Sequence, residues 1–283
     1  MSTGVIYIAT GQRYVDEAKI SAKSVKSSMP NVEVSIMTDI ELDSGPFDRV
    51  IPVTDPDYSF RDQITLLPES PYDRTLYLDS DIYVYEDISE VFDLLDQFDV
   101  AMAEIQVSPR WDLEGVPESF YGYNTGVVAY NNTEDFAEFC RDWEATYDSL
   151  RRPGKPYNQP SMRKASYESD LRIATLPRKY NCMFREPGHV RGTVKVFHGR
   201  LKDVEGPGAG KYHDPKKAMK EINKTESSRV FTQLGGVSVH SNKQDSLIHR
   251  ARLSARRQGM KHVIVEGWKL AYGKLSRLWK RQK

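Results

Sequence analysis

The feature that most constrains this chain is the alternation, over its first ~150 residues, of short apolar runs with amphipathic segments. Val5-Ile-Tyr-Ile-Ala9 is an apolar run of strand formers. It reads as a strand buried on both faces. Val15, Ala18, Ala22, Val25 and Met29 follow at spacings of three and four, one face of a helix that Pro30-Asn31 ends. Val32, Val34 and Ile36 alternate with Glu33 and Ser35 as a second strand. Val50-Ile-Pro-Val53 is a weaker third, and Pro52, which has no ladder donor, suggests an edge or a strand end. Residues 75–78, 82–84, 100–105 and 125–130 continue as strands, with a short helix over 88–95. Thr133 is placed to cap a helix whose Phe136, Phe139, Cys140, Trp143 and Tyr147 share one stripe. This order predicts an α/β domain with a mostly parallel central sheet flanked by helices. After Leu150 the pattern loosens: residues 151–156 read as a loop, and 173–176 and 194–197 as short strands.

Composition narrows the class further. Two cysteines, Cys140 and Cys182, exclude a disulfide framework and a Cys-rich zinc module. No apolar run approaches the roughly 18 residues of a membrane-spanning helix. Met1–Thr10 has no basic residue before its apolar stretch, so no signal peptide is expected. The formal net charge is zero, from 40 basic and 40 acidic residues. That zero is a cancellation. Residues 247–283 carry eleven basic residues and one acid, Glu266, a charge of +10, which leaves −10 on residues 1–246. The expected organisation is therefore an acidic body, 1–246, and a basic amphipathic helical tail, 247–283. On a helical wheel Ile264, Trp268, Ala271, Leu275, Leu278 and Trp279 form an apolar stripe, with Lys269, Lys274, Arg277, Lys280 and Arg281 on the rest. Tryptophan opposite a basic face is the pattern of a helix lying in a membrane interface. An anionic membrane surface and the chain's own acidic body both remain open as its partner. Nucleic acid is favoured by charge alone, with no recognised nucleic-acid fold, so none is expected. The expected location is cytoplasmic, peripheral on the inner face of a membrane.

Asp79-Ser80-Asp81 is the most informative segment. It follows the apolar strand Thr75-Leu-Tyr-Leu78, and ligands of open α/β sheets bind outside the carboxyl ends of strands. Alternate residues of extended chain point the same way, so both carboxylates can converge on one point. Two like charges held together call for a cation, and oxygen donors suit magnesium or manganese. A haloacid-dehalogenase phosphatase also uses Asp-x-Asp, but on an early strand and with Thr or Val where this chain has Tyr83. Gly206-Pro-Gly-Ala-Gly-Lys211 is one residue short of a phosphate loop, lacks the Ser or Thr and follows no strand; it reads as a linker.

Taken together, six motifs in order resemble a GT-A glycosyltransferase of family 8, the glycogenin and bacterial lipopolysaccharide galactosyltransferase type, over about Val5 to Lys202. The resemblance implies the GT-A fold and the following roles. Thr10, Gly11 and Tyr14 hold the nucleotide. Arg61, in Phe60-Arg-Asp-Gln63, contacts the donor. Asp79 and Asp81 bind the metal, manganese or magnesium, with Ser80 beside the nucleotide-sugar. Asn124 and Thr125, in Tyr123-Asn-Thr-Gly-Val127, contact sugar hydroxyls, and Gly126 lets the sugar lie against the backbone. Asn158 and Gln159 flank the reacting carbon, where the family usually has Asp-Gln; Asn158 supplies no carboxylate nucleophile. His198 completes the metal site, with Gly199 and Lys202 at the diphosphate, although the family's His-x-x-Gly is shortened here to His-Gly. His240 is the rival third ligand. The implied reaction moves a sugar, with retention, from a nucleotide-sugar such as UDP-hexose to a glycan or lipid-linked glycan acceptor. The alternative is a non-catalytic, membrane-associated nucleotide-sugar-binding protein on a degenerate fold. A nucleotidyltransferase on the same fold lacks support, because its Gly-rich loop is absent.

Overall fold

The computed structural model describes residues 1–105, 112–151, 158–183, 188–199, 219–220, 222–224, 226, 228–231 and 237–238. The chain divides into two units, Met1–Val239 and His240–Lys283, and every described residue belongs to the first. Lys202, residues 206–211, His240 and the tail at 247–283 lie outside the described residues.

Strand β1 (Thr3–Ile8) leads through Gly11 into helix α1 (Gln12–Ser28), then β2 (Glu33–Thr38) and β3 (Arg49–Pro52). Helix α2 (Phe60–Leu66) precedes β4 (Arg74–Leu78) and β5 (Ile82–Val84). A 3-10 segment, Ser89–Asp96, stands where the sequence predicts a short helix, before β6 (Val100–Glu104). Then come β7 (Tyr123–Asn131), α3 (Glu134–Leu150), α4 (Gln159–Glu168) and β8 (Ile173–Leu176). The short strands β9 (Cys182–Met183), β10 (Gly188–Val190), β11 (Val196–His198), β12 (Arg229–Phe231) and β13 (Val237–Ser238) follow. Thr133 caps α3 as expected, its hydroxyl accepting from the Phe136 N–H. The sequence pattern does not announce α2 or α4. Ser59 caps α2 by accepting from the Arg61 N–H, but its seven residues are too few to show a stripe.

Seven strands form one sheet in the order β3-β2-β1-β4-β7-β6-β8. All neighbours are parallel except β7, which runs antiparallel to β4 and β6. β3 lies at an edge and Pro52 is its last residue, and both places suit a residue without a ladder donor. Alternate side chains fill two cores. Val5, Tyr7, Leu76 and Leu78 pack with Val15, Ala18, Ala22 and Val25 of α1. Ile6, Tyr77, Val128 and Tyr130 pack with Ile64 of α2 and with Phe136, Trp143 and Tyr147 of α3. Burying one such leucine or isoleucine contributes about 1.5–3 kcal/mol, so both faces of β1 and β4 are strongly specified. Among the described residues no helix is long and apolar enough to cross a membrane.

Two features position the site. The strand order reverses beside β1, with β2 on one side and β4 on the other, and the crevice at such a reversal is where open α/β sheets take ligands. The small sheet β5-β11-β9 pairs β11 antiparallel to β5, with His198 opposite Ile82. That pairing brings residue 198 beside the segment that follows β4.

Candidate metal and donor site

Asp79 and Asp81 lie just past the carboxyl end of β4 and His198 at the end of β11. One ligand atom from each falls within 4.8 Å of the others. His198 Nε2 is 3.3 Å from Asp81 Oδ1 and 3.6 Å from Asp79 Oδ2. Backbone bonds fix the frame. The Asp79 N–H donates to Gly126 O at 2.8 Å, and the Gly199 N–H donates to Asp81 O at 2.9 Å.

The tautomer of His198 follows from one backbone donor. The Gly126 N–H donates to Asn124 Oδ1 at 3.0 Å, which fixes that amide. Asn181 Nδ2 must then be the group that donates to Asn124 Oδ1, at 2.7 Å. This turns Asn181 Oδ1 to His198 Nδ1 at 2.8 Å, so Nδ1 carries a proton. Nε2 is left facing the carboxylates, as the N–H of an imidazolium or as a lone pair. In the second form the donor set is two carboxylates and an imidazole, which could hold a divalent cation. A hydrogen bond on the far ring nitrogen is the usual support of a metal-binding histidine. Asn181 follows the 3-10 segment Arg178–Tyr180, and no sequence rule assigns it this part.

Two further groups shape the cluster. Tyr77 donates its hydroxyl to Asp79 Oδ1 at 2.7 Å, leaving Oδ2 toward His198. Burial first, and the Asp79 charge second, hold the Tyr77 phenol protonated well above its ordinary range. Gly126 is the contact surface behind the cluster. A Cβ there would fall 2.4 Å from His198 Cε1 and 2.8 Å from Asp79 Oδ2. The glycine therefore makes room for the side chains of His198 and Asp79.

On the other side of the crevice, Gly11 has φ +87°, a conformation side-chain-bearing residues rarely adopt. Its N–H donates to Asp39 Oδ1 at 2.7 Å, and Asp39 Oδ2 accepts from the Tyr58 hydroxyl. Thr10 Oγ1 donates to buried Asp62 at 2.8 Å. Tyr14 exposes its ring in the first turn of α1, with the Arg13 guanidinium 5.7 Å from its centroid. Ser80 Oγ lies 3.4 Å from Glu17 Oε2.

Arg61 takes a different direction. Its guanidinium is held by Glu144 at 2.8 Å and Asp148 at 2.7 Å, both on α3. The buried residues of α2, the helix that carries Arg61, are Asp62, Gln63 and Ile64. Gln63 Nε2 donates to Thr125 O at 2.8 Å, and Asn158 Nδ2 donates to Gln63 Oε1 at 2.8 Å and to Thr125 Oγ1 at 3.1 Å. Asn158 is fully buried at the start of α4, and Gln159 beside it is half-buried. The structure thus brings Asn124, Thr125 and Asn158 together around the peptide between Thr125 and Gly126. That peptide is freed by an irregularity in β7: the register with β6 steps from Met102–Val128 to Ala103–Asn124, skipping residues 125–127.

No family model matches the sequence, and no curated protein matches it at the sequence level. Solved structures do match. The galactosyltransferase LgtC, in complex with donor and acceptor sugar analogues, superimposes with a TM-score of 0.55 at 17% identity, over 78% of this chain and 96% of that one. An active-site mutant of LgtC gives 0.53 at 16%, over 78% and 96%. The glycosyltransferase GlyE of Streptococcus pneumoniae TIGR4 gives 0.52 at 14%, over 79% of this chain and 60% of that one. The fold is therefore the GT-A fold of these glycosyltransferases.

Proposed function

We propose that the chain is a metal-dependent glycosyltransferase that moves a hexosyl group from a nucleotide-sugar, a UDP-hexose, to a glycan or lipid-linked glycan. The observation that carries this reading is the convergence of Asp79, Asp81 and His198 at the strand-order reversal of a fold shared with glycosyltransferases. These three residues would hold manganese or magnesium, which supplies neutralisation of the charge developing on the departing diphosphate. Asn181 sets the histidine tautomer, Tyr77 fixes one oxygen of Asp79, and Gly126 gives the ligands room. Thr10, Gly11 and Tyr14 line the nucleotide side, where the exposed Tyr14 ring offers a face for a base. Arg61, engaged by two carboxylates of α3, is left out of the donor contacts. Asn158 and Gln159 take the sugar side. Residue 158 has no carboxylate to form a covalent intermediate, so retention follows from front-face displacement. The acceptor oxygen bonds to the anomeric carbon as its bond to the diphosphate breaks, and the acceptor proton passes to the departing phosphate oxygen.

The test is a panel of UDP-glucose, UDP-galactose and their N-acetyl forms with manganese, followed by thermal shift and UDP release. Manganese-dependent UDP release that Asp81→Ala abolishes supports the reading. Binding without release for any donor or acceptor supports the non-catalytic alternative. We also propose that 247–283 holds the enzyme on an anionic membrane surface, on the cytoplasmic face. Loss of co-sedimentation with phosphatidylserine vesicles on deleting 247–283 supports that anchor, and equal binding by both forms refutes it.

A further inference from the structure

The sugar side holds a feature the reaction does not by itself require. Asn158 is fully buried, and its Oδ1 has no hydrogen-bond partner among the described residues. Leaving a buried acceptor unpaired costs about 1–3 kcal/mol, so such an atom calls for an explanation. Its direction is not arbitrary. The backbone oxygen of Thr125 can only accept, so the Gln63 group 2.8 Å away must be the donating Nε2. Gln63 Oε1 then faces Asn158, which must answer with Nδ2. Thr125 Oγ1 accepts from the same Nδ2. Both partners on that side are thus satisfied by the amide nitrogen, and the oxygen is turned the other way. Thr125, which accepts from Asn158, is followed by Gly126, where a Cβ would meet His198 and Asp79, so the amide's partner is one residue from the metal-ligand cluster.

We infer that Gln63 and Asn158 form one recognition unit, in which Gln63 is a positioning residue that turns Asn158 Oδ1 away from itself and from Thr125, as a neutral acceptor for a hydroxyl of the transferred sugar. The inference rests on the glycosyltransferase reading and deepens it. It explains why residue 158 is an amide. With Gln63 oriented by a carbonyl, an aspartate at 158 sets an anionic oxygen against Gln63 Oε1 in a site closed to water. The unit also assigns the inward face of α2 to the sugar through Gln63, two residues from Arg61.

Three variants test it, with manganese present and UDP-glucose and UDP-galactose compared with UDP. Gln63→Lys offers donors to both Thr125 O and residue 158, so the Asn158 amide turns over and presents Nδ2 outward. UDP-hexose affinity should fall about 10–100-fold, while UDP affinity is unchanged. Asn158→Asp alone opposes two acceptors, and the ligand-free melting temperature should fall by about 5–10 °C. In Gln63→Lys with Asn158→Asp, the carboxylate accepts from the lysine with one oxygen and presents the other. UDP-hexose affinity and at least half of the lost melting temperature should return. Undiminished UDP-hexose affinity in Gln63→Lys, or a double variant no better than the worse single one, overturns the unit while leaving the enzyme reading intact. Wild-type protein that prefers no UDP-hexose over UDP overturns the sugar role together with that reading. The ligand-free melting pattern reports the amide orientation in either case.

Discussion

Two hydrogen-bond chains leave the Thr125–Gly126 peptide, one from its C=O and one from its N–H. The C=O orients Gln63 and then Asn158, and the chain ends on a neutral amide oxygen. The N–H orients Asn124, then Asn181, then His198, and that chain ends on an imidazole nitrogen between two carboxylates. The parts are alike, chiefly buried amides relayed from one backbone group. The ends differ because the first meets no charge, whereas the second meets Asp79 and Asp81. A single peptide plane, freed by an irregular stretch of β7, thus orients Asn158 in one direction and His198, beside two carboxylates, in the other; under the proposed function these are the sugar and the metal sides. The polarity of every side-chain amide in both chains follows from it.

The comparison can be broken most severely at the metal end. Asp81→Ala removes a carboxylate from the cluster, and manganese-dependent UDP release should fall by about 10³-fold or more. UDP release equal to wild type would remove Asp81 from the site. Gly126→Ala strikes the shared origin, because its Cβ must displace His198 or Asp79. Turnover should fall by about 10²-fold, with manganese and UDP-hexose affinities weakening together in calorimetry. Asn181→Ala acts on one chain only. It should weaken manganese by about 10–100-fold while leaving the preference for UDP-hexose over UDP unchanged at saturating metal. Equal weakening of both would merge the two chains into one. Tyr77→Phe removes the donor to Asp79 without disturbing either chain, and a loss of about 3–10-fold in kcat/KM is expected.

The same two chains show how far the sequence could be read. Asp79 and Asp81 were legible as a pair at the end of an apolar strand, and His198 through the family resemblance; the structure brings the three together. The alternation of strands and helices was legible too, since residues 5–7 of β1 and 76–78 of β4 are apolar on both faces. Gln63 and Asn181 were not. Gln63 lies 62 residues from Thr125, and Asn181 lies 57 from Asn124. What selects them is a backbone group exposed by a register step between β6 and β7 that leaves no mark in the hydrophobic pattern. Arg61 enters through the family resemblance, yet two residues along a helix turn a side chain by about 200°, and α2 is too short to show which face is inward. The antiparallel course of β7 was equally hidden, because strand pattern records burial and not direction.

The most direct test of the central claim is a calorimetric titration of manganese into the full-length protein with UDP present, for the wild type and for His198→Ala. One manganese per chain, bound at least tenfold more weakly by the variant, with UDP affinity dependent on the metal, is the result expected from ligands converging at the end of β4. Equal manganese binding by both proteins, or UDP binding indifferent to manganese, would contradict it.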